Sequence, residues 1–125
     1  KNDIPYIYLG YLNEKELINC YKMLDIYLIT SREEGGPLGL IEAMASGVPV
    51  ISTPVGQAKD MIINEYNGYL SDNFSGQSIG KKIIKAINQK EKINKMKKNA
   101  LTTSLEYDEN RLLNIWNSFF NFLRR

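Results

Sequence analysis

The sequence has no histidine and only one cysteine, Cys20. A chain with one cysteine has no internal disulfide bond, and without histidine it cannot build a zinc site of the usual Cys/His type. Ser-His-Asp and Cys-His catalysis are excluded for the same reason. Any chemistry must therefore come from carboxylates, lysines, hydroxyls or backbone dipoles, and we expect neither a metal nor a cofactor.

A strong charge of one sign and a long apolar run are also missing. The 125 residues carry a net charge of +2, which implies no nucleic-acid partner. No apolar run is long enough to span a bilayer, and the first residues, KNDIPYIYLG, do not resemble a signal peptide. We therefore expect a cytoplasmic protein with a single domain over residues 1–125, large enough for a modest core.

Apolar runs alternate with helical patterns along the first half of the chain. The runs at 6–10, 25–30 and 48–53 are nearly continuous in apolar residues, and a fourth short one follows an Asn-Gly turn at 67–68. Buried strands joined by helices indicate an α/β fold, a Rossmann-like parallel sheet with helices on both faces. The predicted helices are 13–24, 38–46 and 58–63, followed by a helical region over about 75–125.

Local signals predict where several helices begin and end. Asn13, with Glu16 three residues later, has the pattern of a capping box, Gly47 ends a helix, and Asp108 caps the last one. The last helix is apolar over a wide arc, and we expect most of that arc to pack on the core. Four isoleucines of the helical region lie on one stripe: Ile79, Ile83, Ile84 and Ile87.

The stretch EEGGPLGLIEAMASG, at 33–47, combines carboxylates and glycines at the start of a helix. It follows an apolar strand, so it lies at the carboxyl edge of the predicted sheet, where such folds bind ligands. Gly35 and Gly36 let an anion approach the backbone closely, and the first helical turn has unpaired N–H groups. With the forward-pointing N–H groups of Leu38 and Gly39, the stretch predicts a cradle for a diphosphate.

Two carboxylates flank this predicted cradle. Glu34 lies in the loop, and Glu42 lies about one turn inside the helix, where its side chain leans back toward the helix start. Carboxylates accept hydrogen bonds from neighbouring hydroxyls, which sugars and ribose present. A nucleotide sugar fits this set of groups, although acids near a helix start also complement the helix dipole without any ligand.

The basic residues have two interpretations each. Arg32 could contact a phosphate or pair with Glu33, and Lys59 could reach the pocket or lie on a solvated helix face. The run KKIIKAINQKEKINKMKK, at 81–98, is basic and amphipathic. A solvated surface is the more frequent explanation of such a pattern, and peripheral association with anionic lipid at the inner membrane surface is the alternative.

The longer stretch DIYLITSREEGGPLGLIEAMASGVPVISTPVGQAKDMIINEYNGYL, at 25–70, resembles the C-terminal nucleotide-sugar domain of the retaining family 4 glycosyltransferases (glycosyl transferases group 1). That family shows an acid at a glycine-containing helix start, a Glu after seven intervening residues, and Ala-Met-Ala-x-Gly-x-Pro-Val. The matching residues here are Glu34, Glu42 and AMASGVPV, followed by TPVG and NGYL. The resemblance implies part of the C-terminal half of a two-domain GT-B fold.

The resemblance also implies a role for each site residue. Glu34 would be the catalytic residue that contacts hydroxyls of the transferred sugar, and Glu42 would bind the ribose hydroxyls of the nucleotide. The backbone at 10–12 would lie near the base, and transfer would need no metal. The N–H groups that would hold the diphosphate of a UDP- or GDP-linked sugar are those of Gly35, Gly36, Leu38 and Gly39.

The resemblance covers only part of the family's pattern. The Arg and Lys that usually neutralise the diphosphate, two preceding strands and the acceptor-binding N-terminal domain have no counterpart in this sequence. We therefore expect an incomplete domain whose partner is a missing N-terminal domain, inactive alone and prone to self-association. Without the two strands, the run at 6–10 is expected to pair with the strand at 25–30 or with another copy.

The function expected of the parent protein is transfer of a hexose, with retention, from a nucleotide-diphosphate sugar to a glycan or lipid-linked acceptor. A non-catalytic nucleotide-sugar-binding or regulatory module of the same fold is the alternative. In a third possibility, the chain is an unrelated doubly wound domain in which Glu34 and Glu42 only complement the helix dipole.

Overall fold

Three short parallel strands lie at the centre of the computed structural model, which describes residues 4–123. The strands are adjacent in chain order, β1-β2-β3, and Ile51 lies opposite Leu28 on one side and Tyr69 on the other. A helix joins each strand to the next, as parallel pairing requires. The elements are α1 (Glu14–Met23), β1 (Tyr27–Ile29), α2 (Leu38–Ala45), β2 (Val50–Ser52), α3 (Ala58–Met61), β3 (Gly68–Leu70), α4 (Gly76–Ile87), α5 (Lys90–Leu105) and α6 (Glu109–Leu123).

The sheet is covered on both faces, because successive strand residues point to opposite sides. Val50 belongs to a cluster with residues of α1, α2 and α3, whereas its neighbour Ile51 belongs to a second cluster with residues of α4. Helix α5 contributes to both, through Ala100 in the first cluster and Met96 in the second. The predicted α/β architecture with helices on both faces is confirmed.

The predicted helix-end signals are present. The Asn13 side chain accepts a hydrogen bond from the Glu16 N–H at 3.0 Å, and the Glu16 carboxylate accepts one from the Asn13 N–H at 2.9 Å. Gly47 follows α2 with φ +74°, a conformation that favours glycine. At α6, the Asp108 carboxylate accepts a hydrogen bond from the Asn110 N–H at 3.0 Å.

The predicted strand at 6–10 is wrong. Residues 4–10 form neither helix nor strand, and the side chains of Tyr6 and Tyr8 are each 87% exposed. The expected pairing with the strand at 25–30 is therefore wrong too, while pairing with another copy stays a prediction. An apolar run forms a strand only where it gains a hydrogen-bonded neighbour and covered faces, and residues 6–10 have neither in the described part of the chain.

The expectation for the last helix needs correction. In α6, Trp116 and its apolar neighbours are exposed rather than packed on the core. The isoleucine stripe packs against the core at Ile79 and Ile83 and is exposed at Ile84 and Ile87, because α4 covers the sheet along one side only. Cys20 of α1 is half-buried.

Candidate functional site

Two loops meet at the carboxyl edge of the sheet, one after β1 and one after β2. The Thr53 hydroxyl donates a hydrogen bond to the Ser31 carbonyl at 2.6 Å, and the Thr53 N–H donates to the Ile29 carbonyl at 3.0 Å. Further along, the Gln57 N–H donates to the Gly35 carbonyl at 3.3 Å. These bonds fix the glycine-rich loop, residues 31–37, against the loop at 53–57.

The contact between the loops depends on Gly56. This residue has φ +38°, and a Cβ atom on it would lie 2.3 Å from the Gly35 carbonyl oxygen and 2.4 Å from that of Glu34. Both atoms belong to the backbone, so the neighbouring loop cannot yield by rotating a side chain. A side chain at position 56 would therefore push the glycine-rich loop away from its position.

Glu34 faces an open cleft of about 610 Å³ between these loops. Its carboxylate accepts a hydrogen bond from the Ser31 hydroxyl at 2.8 Å, so its orientation is fixed within its own loop. Two cations, Arg32 and Lys59, and the exposed ring of Phe74 line the same cleft. The cleft therefore presents hydrogen-bond acceptors, positive charge and an aromatic face to one space.

The start of α2 lies directly after this loop and has no side-chain cap within residues 4–123. Gly35, Gly36 and Leu38 are exposed, and Gly39 is half-buried. The first helical turn carries N–H groups without helical partners and a partial positive charge. The amides that the sequence predicts to hold a diphosphate are therefore on an accessible surface rather than inside the core.

Glu42 lines a separate recess of about 370 Å³ between α1 and α2. The Tyr21 hydroxyl donates a hydrogen bond to its carboxylate at 2.9 Å. Burial and this hydrogen bond raise the pKa of Tyr21 above its usual value, so the hydroxyl keeps its proton. Leu17 and Ile18 of α1 supply apolar walls to the recess.

The structure thus distributes the predicted site residues over two concave surfaces. Glu34 and Gly35 share the cleft with Arg32 and Lys59, whereas Glu42 lines the separate recess. Arg32 forms no ion pair with any acid among residues 4–123, so of its two interpretations the surface pair with Glu33 is not formed.

Comparison with known proteins identifies the family. The sequence profile described as "Glycosyl transferases group 1" matches residues 5–103, which is most of the chain. The chain belongs to the glycosyl transferases group 1 family. The matched range includes the stretch at 33–47, which lies at the cleft described above.

Curated members of the glycosyl transferases group 1 family resemble this chain at moderate identity. An uncharacterised glycosyltransferase of Methanocaldococcus jannaschii is 32% identical over 92 residues, covering 73% of this chain and 26% of the relative. The N,N'-diacetylbacillosaminyl-diphospho-undecaprenol alpha-1,3-N-acetylgalactosaminyltransferase of Campylobacter jejuni is 26% identical over 103 residues, covering 82% of this chain and 27% of the relative. The chain spans about a quarter of the length of these curated relatives.

Solved structures agree with this family assignment. The C-terminal domain of a group 1 glycosyltransferase from Francisella tularensis superposes with a TM-score of 0.72 at 31% identity, over 81% of this chain and 53% of that one. Sucrose-phosphate synthase from Thermosynechococcus elongatus superposes with a TM-score of 0.80 at 22% identity, over 93% of this chain and 30% of the synthase chain. An Anabaena protein solved in complex with UDP superposes with a TM-score of 0.69 at 23% identity, over 84% of this chain and 29% of the Anabaena chain. The chain therefore has the fold of part of a GT-B glycosyltransferase.

Sequence reasoning missed three residues that shape the candidate site. Thr53 and Gly56 hold the two loops together, and Tyr21 binds Glu42. The stretch TPVG predicts a turn, but nothing in it indicates which carbonyls the turn will meet. Tyr21 lies on the apolar face of α1, where a tyrosine is expected simply to be buried, so its hydroxyl gave no separate signal.

Half of the lysines in the basic run at 81–98 are paired with acids. Four of its eight lysines form ion pairs, and these four are engaged within the protein rather than available to lipid. Each helix between residues 4 and 123 is too short or too polar to span a bilayer. In the same range, no three acidic or cysteine side chains are grouped so that they would hold a metal ion. The ion pairs are Lys82–Asp72, Lys85–Glu65, Lys92–Glu65 and Lys97–Asp25.

Proposed function

We propose that this chain is the nucleotide-sugar-binding part of a retaining family 4 hexosyltransferase, which moves a sugar from a UDP- or GDP-linked donor to a glycan or lipid-linked acceptor. Residues 1–125 form a single, incomplete domain in this proposal, and an N-terminal domain supplies the acceptor side. The observation that carries the proposal is the open cleft in which Glu34 stands beside the accessible amides at the start of α2.

The donor would extend across the start of α2. The transferred sugar would lie in the cleft with its hydroxyls on Glu34, and the diphosphate would bind the N–H groups of Gly35, Gly36, Leu38 and Gly39. The ribose would reach Glu42 on the far side of the helix start. The Anabaena structures with UDP and with UDP-glucose support a nucleotide sugar as the ligand class for this fold.

Transfer breaks the bond between the anomeric carbon and the diphosphate oxygen, which keeps the electron pair. The acceptor hydroxyl oxygen forms the new bond to that carbon, and its proton leaves with the diphosphate. Negative charge therefore grows on the leaving group, beside the partial positive charge of the α2 start and close to Arg32 and Lys59 in the same cleft. These groups would stabilise the leaving diphosphate.

The test uses the parent protein with UDP- and GDP-sugars and measures hydrolysis and transfer. Glu34→Gln removes the charge at constant size, and we expect turnover to fall about 100-fold or more. Glu33→Gln is the matched control, because Glu33 lines the same cleft but accepts no hydrogen bond from Ser31. Equal losses of turnover in Glu34→Gln and Glu33→Gln would mean that turnover depends only on the local charge and not on the position of Glu34.

The remaining interpretations give different results in the same assays. Nucleotide-sugar binding without turnover in the unmodified protein would favour the non-catalytic or regulatory module. No binding of any nucleotide sugar would favour an unrelated use of the fold, with Glu34 and Glu42 as dipole complements. A cytoplasmic location at the inner membrane surface remains a prediction, and the paired lysines of the basic run give it no added support.

A further inference from the structure

The hydrogen bond between Tyr21 and Glu42 joins two helices beside the proposed nucleotide site. Tyr21 belongs to α1 and is only 6% exposed, whereas Glu42 belongs to α2 and is half-buried. The hydroxyl donates to Oε2 of the carboxylate at 2.9 Å. One carboxylate oxygen is therefore engaged by the protein, and Oε1 has no hydrogen-bond partner among residues 4–123.

A second tyrosine holds the first one in place. The rings of Tyr21 and Tyr27 pack edge to face with their centroids 5.5 Å apart. Both hydroxyls lie under the first turn of α2, since a Cβ atom on Gly39 would be 2.5 Å from the Tyr27 hydroxyl oxygen and 3.3 Å from that of Tyr21. Glycine at position 39 thus lets the tyrosine pair reach the start of α2.

The buried hydroxyl keeps its proton throughout the neutral range, because burial and the bond to Glu42 raise the pKa of Tyr21. It therefore acts as a permanent donor to Glu42. A carboxylate fixed at one oxygen loses less rotational freedom when a ligand hydroxyl binds the other oxygen.

We infer that Tyr21 is a positioning residue, which fixes the Glu42 carboxylate so that Oε1 is presented to the ribose hydroxyls of the nucleotide. The inference rests on the proposed function, because it assigns the ligand of Glu42 to the ribose. Tyr21 itself touches no substrate in this scheme. Its effect is on recognition of the ribose, and not on the sugar held at Glu34.

The test measures equilibrium binding of nucleotides to the parent protein that contains this chain. UDP and GDP are titrated first, and the better ligand is then compared with its 2′,3′-dideoxy analogue. Tyr21→Phe removes only the hydroxyl. We expect the preference for the natural nucleotide over the dideoxy analogue to fall about three- to tenfold, the range for the loss of one ordinary hydrogen bond.

Tyr69→Phe is the matched control. Tyr69 is also buried, and its hydroxyl binds the Gln89 side chain at 3.2 Å, but it lies in the cluster on the opposite face of the sheet. Both variants lose one buried hydroxyl and should lower the melting temperature to a similar degree. Only Tyr21→Phe should change the preference for ribose hydroxyls.

A double-mutant cycle with Glu42→Gln separates positioning from packing. If Tyr21 acts through Glu42, Tyr21→Phe has no further effect on the ribose preference once Glu42 is replaced. An unchanged preference in Tyr21→Phe, with wild-type binding intact, would overturn the inference and leave the proposed function standing. Failure of the unmodified parent protein to bind either nucleotide would overturn both.

Discussion

Gly56 shows how one residue at the sheet edge controls the shape of the site. Its Cβ position is occupied by two backbone oxygens of the glycine-rich loop, and its φ of +38° is one that L side chains rarely adopt. The substitution Gly56→Ala therefore combines backbone strain with an unavoidable contact. We expect the free energy of unfolding to fall by about 2–4 kcal/mol, measured by denaturant titration.

The control for that substitution is Gly80→Ala. Gly80 lies inside α4, and a Cβ atom there would meet no heavy atom within 4 Å. Alanine has a higher helix propensity than glycine, so the free energy of unfolding of this variant should rise by about 0.5–1 kcal/mol. Destabilisation by Gly80→Ala equal to that by Gly56→Ala would mean that the loop contact has no special role.

At the scale of single residues, the sequence predicts what local chemistry determines. The capping box of Asn13 and Glu16 and the helix stop at Gly47 follow from neighbours in the chain, and the structure has them as predicted. Tyr21 and Gly56 could not be found in this way. Their roles depend on atoms brought together from different elements, and no local pattern encodes those partners.

The element that the structure leaves least attached is α6. Every side chain from Glu109 to Phe122 is exposed, and its Trp116, Phe119 and Phe120 rings pack on one another instead of on the sheet. An ion pair between Arg111 and Glu106 joins it to the residues after α5. Helices without tertiary contacts contribute little to stability.

We therefore expect a chain that ends at Asp108 to fold as well as the full chain. Its melting temperature should change by less than about 4 °C, since less than about 1 kcal/mol of packing is removed. A chain that ends at Lys90 is the contrasting variant, because it loses the buried Met96 and Ala100 of α5 and should not fold. A large loss of stability on removal of α6 alone would contradict the exposure of its apolar face.

The same comparison explains what could be predicted about elements. The sequence pattern identified two apolar surfaces, the arc of α6 and the run at 6–10, and both are exposed in the structure. Their burial was predicted wrongly, because periodicity shows that a face is apolar but not which surface covers it. β1, β2 and β3 were predicted correctly, since their neighbours lie within the chain.

Across the whole molecule, Glu65 connects three elements. It precedes β3 and forms ion pairs with Lys85 of α4 and Lys92 of α5. Hydrogen bonds and charge from these two lysines lower the pKa of the Glu65 carboxyl. A lowered pKa in the folded state means that the contribution to stability is present above the unfolded pKa of about 4.3 and is lost as the pH falls through the folded value.

Glu65→Gln should consequently flatten the acid side of the stability profile. The measurement is melting temperature against pH, at low and high salt, where added salt should reduce the difference from wild type. Glu33→Gln is the control, because Glu33 forms no ion pair with residues 4–123. Identical profiles for Glu65→Gln and wild type would show that the ion pairs do not contribute in solution.

Exposed apolar surface also predicts the behaviour of the chain in concentrated solution. Tyr6, Ile7 and Tyr8 near the start and the rings of α6 lie open to solvent. Surfaces of this kind drive association. We expect the sedimentation coefficient to rise with protein concentration, and replacement of Tyr6 and Tyr8 by serine to reduce that rise. Concentration-independent sedimentation would argue against self-association.

The position of α5 has a consequence for how the molecule comes apart. One helix supplies Ala100 to the hydrophobic cluster on one face of the sheet and Met96 to the cluster on the other. Neither cluster can unfold while α5 stays in place, and loss of α5 exposes both clusters at once. The amide protons of the residues in the two clusters should therefore exchange with deuterium at one common rate, as a single foldon.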